Sequence, residues 1–186
     1  MLDSFTTFVQ NAMDRWRRYR SQKLSWMAEP LVRAGIPASV VTLASFLLGL
    51  AAVFFLFTNH FLFVLFSIFH LLADALDGMV ARITKPSPFG KYLDYTSDQL
   101  IALLLLVRIA GELQDYFVIL VILLFSAAQL VYFLSKFTAP VLFARTLVLL
   151  FLAIQQPIPA YLSAGVVALY SLAVQLPWIL ERKIKS

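Results

Sequence analysis

The sequence predicts an all-α integral membrane protein, with six transmembrane helices preceded by an amphipathic helix on the membrane surface. Three observations predict it. Of the 186 residues, 61% are hydrophobic and only 13% charged, where a soluble domain carries about 45–50% and about 25%. Mean hydropathy is +0.86, and so few charges cannot cover that much apolar surface in water. Finally, the apolar residues form continuous runs close to the roughly 20 residues a bilayer span needs. Those runs do not alternate as barrel strands do, so helices are what satisfies their backbone in lipid. The composition excludes a disordered chain, and no internal repeat is visible.

The elements follow in order. Phe5, Val9, Met13 and Trp16 recur at helical spacing among Asp14, Arg15, Arg17 and Arg18. Residues Leu2 to Met27 therefore read as a basic amphipathic helix drawn to anionic lipid. Such a helix can also bind nucleic acid, but attached to membrane spans it is read as a surface anchor, with no nucleic-acid partner. The opening Asp3, Thr6 and Thr7 do not resemble a cleavable signal, so insertion is expected to rely on the internal spans. Residues 1–35 form this juxtamembrane segment, and 36–186 the six-helix transmembrane domain. The expected spans are Ala38–Thr58, Phe61–Arg82, Gly90–Ile109, Tyr116–Leu134, Phe137–Gln155 and Pro159–Leu180. Prolines 86, 88, 140, 157 and 159 punctuate their boundaries.

With this layout every Lys and Arg except Arg108, of 15 in all, falls on one side. The positive-inside rule puts that side, with both termini, in the cytoplasm of a multi-pass cell-membrane protein. The chain has no cysteine, so neither a disulfide nor a thiolate metal site is available.

Four carboxylates break the apolar pattern. Asp74 and Asp77 end the second span, and Asp94 and Asp98 begin the third. An aspartate at mid-span costs about 2.5–3.5 kcal/mol, less near an interface. Spacings of three and four residues put each pair on one helix face, and the short connection Ile83–Phe89 makes the two helices antiparallel neighbours. All four carboxylates are expected to converge on one cytoplasm-facing pocket. Ionised, they repel one another unless cations balance them, and hard divalent ions with oxygen ligands, Mg²⁺ or Mn²⁺, meet that need. The alternative is a set of surface aspartates pairing with Arg82 and Lys91. Small residues Gly78, Ala81 and Gly90 leave room for a ligand or for a close helix. Arg82 ends the face, where a guanidinium holds phosphate or snorkels to the interface. Together these residues argue for a phosphate-bearing substrate and a two-metal site acting at phosphorus.

Asp74-Ala-Leu-Asp77-Gly78-Met-Val-Ala81-Arg82, followed by Gly90-Lys-Tyr-Leu-Asp94-Tyr-Thr-Ser-Asp98, resembles the signature D-x-x-D-G-x-x-A-R … G-x-x-x-D-x-x-x-D. That signature belongs to the CDP-alcohol phosphotransferases, also called CDP-alcohol phosphatidyltransferases. The resemblance implies a homodimeric phospholipid-synthesis enzyme that moves a phosphoalcohol from a CDP-linked donor to a hydroxyl and releases CMP. It implies metal ligation by Asp74, Asp77 and Asp94, with Asp98 as general base on the acceptor hydroxyl and a share in metal binding. Gly78 and Arg82 would contact the CDP part, with Ala81 and Gly90 beside them, and Ser87 sits where the family often offers a hydroxyl. Two departures stand out. The stretch Ile83–Phe89 is one residue shorter than the family's usual spacing, which bears on Ser87. Where the family often shows P-N-x-x-T, this chain has Pro37-Ala38-Ser39-Val40-Val41-Thr42. Ser39 and Thr42 remain donors to the nucleotide, and Ser39 is also a candidate helix N-cap.

The acceptor is the open point. Lys85, Lys91, Lys136 and Arg145 share the cytoplasmic side and suit a phosphorylated alcohol such as glycerol phosphate or inositol phosphate. As ordinary positive-inside anchors they would fit equally. The donor would be CDP-diacylglycerol or an archaeal ether counterpart. The reverse transfer, a head group passing from a small CDP-alcohol to a lipid hydroxyl, is the alternative. A cation- or proton-coupled transporter is the rival class, but it needs carboxylates near the midplane reachable from both faces. His70, one turn before Asp74, either tunes the metal site or packs as a hydrogen-bonded core histidine. Arg108, Glu112 and Asp115 read as a solvated loop with local pairing.

Overall fold

The computed structural model describes residues 15, 26–84, 88–134 and 144–185, with side chains described throughout except at 88 and 176–185. All regular structure among them is helical. Helix α1 covers 26–33. It is followed by α2 (Ala38–Phe55), α3 (His60–Thr84), α4 (Pro88–Leu113), α5 (Tyr116–Leu134), α6 (Ala144–Ala153) and α7 (Pro157–Lys185). The amphipathic helix expected over Leu2–Met27 lies outside the described residues apart from Arg15, Trp26 and Met27, which are helical.

Among the described residues, four helices are long and apolar enough to cross a membrane: α2, α3, α5 and the Pro157–Gln175 part of α7. The chain is a multi-pass membrane protein. The other two expected spans correspond to α4 and α6. Helix α4 has the length, 26 residues, but Lys91, Asp94 and Asp98 charge its first three turns. Helix α6 has ten described residues, about 15 Å at 1.5 Å per residue, half of a hydrocarbon core. The start of that fifth span, 137–143, lies outside the described residues.

The described residues divide into two compact units, one within 10–101 and the other within 102–186. In the first, α1 ends in a Schellman motif: Ile36 N donates to Leu31 O and Gly35 N to Val32 O, both at 3.0 Å. Gly35 takes φ +71°, a left-handed conformation that glycine adopts without strain. Pro37 then starts α2. Ala28 of α1 packs with Met79 and Val80 of α3, flanked by Leu31, Val32, Ala38 and Leu76. Helix α2 buries Val41, Thr42, Ser45, Gly49, Ala52 and Val53, a stripe of mostly small residues that lets α3 come close. The turn between them is capped by Asn59, whose Oδ1 accepts Leu62 N at 3.1 Å. On α3 the buried stripe is Phe63, Ser67, His70 and Asp77.

In the second unit α7 packs on both α5 and α6. Helix α5 buries Val118, Val121, Phe125, Ala128 and Tyr132, and α7 answers with Ala160, Ala164, Ala168 and Ser171 at helical spacing. Asp115 caps α5 by accepting Phe117 N at 2.8 Å, and its other oxygen lies 3.4 Å from the Tyr161 hydroxyl. Arg108 and Glu112, expected in a solvated loop, lie instead in the last turns of α4, and of the Asp115 contacts only the one to Phe117 is local.

Candidate active site

Three helices of the first unit bring the site residues together. Helix α2 supplies Ser39 and Thr42 from its first turns. Its N-cap is Pro37, without any side-chain cap, so Ser39 lies inside the helix and is not its cap. Thr42 Oγ1 donates to Ala38 O at 3.0 Å. Helix α3 supplies Asp74, Asp77, Gly78, Ala81 and Arg82, and α4 supplies Gly90, Lys91, Asp94 and Asp98.

Asp74, Asp94 and Asp98 are half-buried, and each places a carboxylate oxygen within 4.8 Å of the others. Asp77 is the deeper neighbour of this trio. It is only 4% exposed, lies beside Asp74, Asp94 and the Thr42 side chain, and its Oδ2 is buried without a hydrogen-bond partner. An orphaned carboxylate oxygen is costly in a low-dielectric interior unless a cation or donor meets it. The expectation of four converging carboxylates thus resolves into three clustered oxygens and one deeper acid. The difference comes from packing, because Asp77 sits on the α3 stripe that faces α2. The donor set is all oxygen, anionic and free of imidazole and thiolate, which fits Mg²⁺ or Mn²⁺ rather than a softer ion.

Beside the trio opens a cavity of about 490 Å³. Its polar part is made by Ser39, Thr42, Asp77, Lys91 and Asp94, and its floor by Gly78, Ala81 and Gly90. Asp94 belongs to both the cluster and the cavity lining. A β-carbon on Gly78 would meet nothing nearer than Arg82 Nη2 at 4.0 Å. Gly78 therefore faces space and not a packed helix, and the Arg82 guanidinium folds back towards it. Sequence reasoning did not single out the remaining wall, which includes Val32, Gly35, Ile36 and Thr84. The helix-stop pattern Gly35-Ile36-Pro37 was the signal available for it.

Lys85, Ser87 and Lys136 lie outside the described residues. Arg145 is buried on α6 in the second unit. His70 is a packed, hydrogen-bonded core histidine, 1% exposed.

Residues 36–181 match the family model for CDP-alcohol phosphatidyltransferase. The chain belongs to this family. It is a phosphotransferase that moves a phosphatidyl-type group from a CDP-linked donor to an alcohol, and the signature from Asp74 to Asp98 is the segment that builds the cluster and the cavity floor. Comparison with curated proteins gives no match. Among solved structures the chain resembles phosphatidylinositol phosphate synthase of Mycobacterium tuberculosis, determined with CDP-DAG bound. The TM-score is 0.61 at 19% identity, over 82% of this chain and 89% of that one. At that identity the likeness speaks for the fold of this CDP-alcohol phosphatidyltransferase.

Proposed function

We propose that the protein transfers a phosphatidyl group from a CDP-linked lipid, CDP-diacylglycerol or its archaeal ether counterpart, to the hydroxyl of a small polar alcohol, releasing CMP. The observation that carries this reading is the double membership of Asp94, in the carboxylate trio and in the lining of the 490 Å³ cavity. A reacting phosphorus held in the cavity would sit against the metal ligands.

In this reading Asp74, Asp77 and Asp94 hold Mg²⁺ or Mn²⁺, with Asp98 sharing in the coordination. Divalent ions held there would supply positive charge to the pyrophosphate and so improve CMP as a leaving group. The other roles belong to the chain itself. Gly78, Ala81 and Gly90 keep the floor low enough for phosphates to approach, and Arg82 offers them a bidentate fork. Ser39, Thr42 and Ser87 supply hydroxyls to the nucleotide. Asp98 takes the proton of the acceptor hydroxyl as its oxygen attacks phosphorus in line. The new O–P bond forms while the bond to CMP breaks, and CMP leaves with that electron pair. An aspartate is a weak base, so the rate rests on positioning and charge more than on proton affinity.

For the acceptor, Lys91 in the cavity lining supports a phosphorylated alcohol such as glycerol phosphate or inositol phosphate, with Lys85 as its further partner. The distribution of Lys and Arg supports a cytoplasmic site and cytoplasmic termini. The family resemblance supports a homodimer.

The test is CMP release by purified protein with Mg²⁺ or Mn²⁺ and CDP-diacylglycerol, across glycerol phosphate, inositol phosphate, serine and water. Release with one acceptor, abolished in Asp94→Ala, is the expected result, and release with water alone would make the protein a hydrolase. Asp98→Asn should spare metal binding more than turnover. Equal loss of both would sink the division of roles. The cysteine-free chain also suits single-cysteine labelling for sidedness and cross-linking for the dimer.

A further inference from the structure

One turn along from the carboxylates lies a second, buried layer built on the same three helices. His70 precedes Asp74 by four residues, Ser45 follows Thr42 by three, and Ile101 follows Asp98 by three. His70 Nδ1 lies 2.8 Å from the Ser45 carbonyl oxygen, and Ser45 Oγ lies 3.0 Å from the His70 carbonyl oxygen and 3.0 Å from Nδ1. A carbonyl only accepts, so Nδ1 carries the hydrogen and donates to Ser45 while the hydroxyl donates back. The two residues exchange hydrogen bonds across the α2–α3 seam, both buried, at 3% and 1% exposure. Gly49 makes this approach feasible. A β-carbon there would stand 3.1 Å from His70 Nδ1 and 2.9 Å from Ile101.

We propose that His70 is a positioning residue for the carboxylate cluster: its reciprocal hydrogen bonds with Ser45, in the layer closed by Gly49 and Ile101, fix α3 against α2 and so set the spacing of Asp74 against Asp94 and Asp98. Apolar stripes in lipid slide past one another at little cost, since packing alone holds them. Three like charges within 4.8 Å push their helices apart, whereas metal ligands must stay within a few tenths of an ångström of their places. A directional polar clamp one turn away resolves that conflict. A buried polar pair in a span that only filled space would be better replaced by leucine. The inference rests on the metal reading of the trio.

The experiment is Mn²⁺ binding to the full-length protein in detergent, followed by electron paramagnetic resonance, with donor KM measured in parallel. His70→Leu removes the donor at similar volume, and His70→Asn keeps an N–H near the place of Nδ1. His70→Leu is expected to weaken Mn²⁺ binding about tenfold or more, with donor KM at saturating Mn²⁺ within about twofold because no cavity-lining residue is replaced. His70→Asn should recover most of the affinity. Undiminished binding in the Leu variant, or equal loss in both, overturns the proposal. Should the Leu variant not survive extraction, Ser45→Ala deletes the hydroxyl half of the clamp. About threefold weaker binding is then expected, and none overturns the proposal. Wild-type protein that takes up no Mn²⁺ overturns the metal reading and this inference with it. Wild-type binding with indifferent His70 variants overturns this inference alone.

Discussion

A β-carbon at Gly49 would fall 2.9 Å from both Cδ1 and Cγ1 of Ile101, so the α2 backbone meets the α4 side chain with no space for a methyl group. Ile101 is fully buried and, being β-branched, has few rotamers to retreat into. Gly49→Ala should lower the unfolding free energy by about 1–2 kcal/mol, overpacking outweighing the helix-propensity gain of about 1 kcal/mol. Ile101→Ala should be less damaging in the Gly49→Ala background than in wild type. A thermal-melt double-mutant cycle in detergent measures that coupling.

Gly78 is the opposite case. Its missing side chain faces open space, with Arg82 Nη2 the nearest atom at 4.0 Å. Gly78→Ala should therefore leave the melting temperature unchanged or slightly raised, while donor KM rises about tenfold as the methyl group enters the cavity. A fall in melting temperature without a change in KM would mean that the glycine serves helix packing instead.

The carboxylate trio should make the metal-free protein less stable than it would be with one charge fewer. With oxygens within 4.8 Å of one another, each like-charge pair costs about 1 kcal/mol in a water-like dielectric. Asp74→Asn should melt above wild type in chelator. Saturating Mg²⁺ should invert the order, since a ligand at about a hundred times its Kd adds about 2.7 kcal/mol to the form that binds it. Thermal melts of both proteins in EDTA and in Mg²⁺ check the inversion.

Two helix ends carry the same hydrogen-bond pattern with different residues. After α1 the left-handed position holds Gly35, and after α6 it holds Gln155 at φ 59°, with Gln156 N donating to Phe151 O at 2.8 Å. A side chain in that conformation costs about 1–2 kcal/mol. Gln155→Gly should thus stabilise the protein by about 1 kcal/mol, and Gly35→Ala should destabilise it by a similar amount. The second change also strains the cavity wall, so donor KM should rise with it, whereas Gln155→Gly should leave KM alone.

The membrane class and the helical fold were legible because lipid demands long, uniformly apolar helices and the chain writes them openly from Ala38 to Thr84. The site was legible where its residues are close in sequence, since helical spacing alone puts Asp74 beside Gly78 and Asp94 beside Asp98. What spacing does not carry is depth. Asp74 and Asp77 look equivalent as a pair, yet packing against α2 buries Asp77 and leaves Asp74 with the trio. Nor does spacing carry contacts between distant segments: Ser45 and His70 are 25 residues apart, and nothing local in either helix announces the other. The cavity wall at Gly35 was half-written, as a helix stop whose position against α3 depends on Ala28, Met79 and Val80. Charge in α4 and the ten described residues of α6 blur the count of spans.

Helix α3 has 25 residues, about 37 Å, which exceeds a hydrocarbon core of about 30 Å. Its acids lie on the final three turns, so under the proposed function catalysis would take place at headgroup depth while the donor's acyl chains remain among their neighbours. The lipid then arrives by lateral diffusion in two dimensions, and its relevant concentration is a mole fraction in the surface. Adding inert detergent at fixed total donor should slow turnover in proportion to that fraction, while the same dilution leaves the dependence on a water-soluble acceptor untouched.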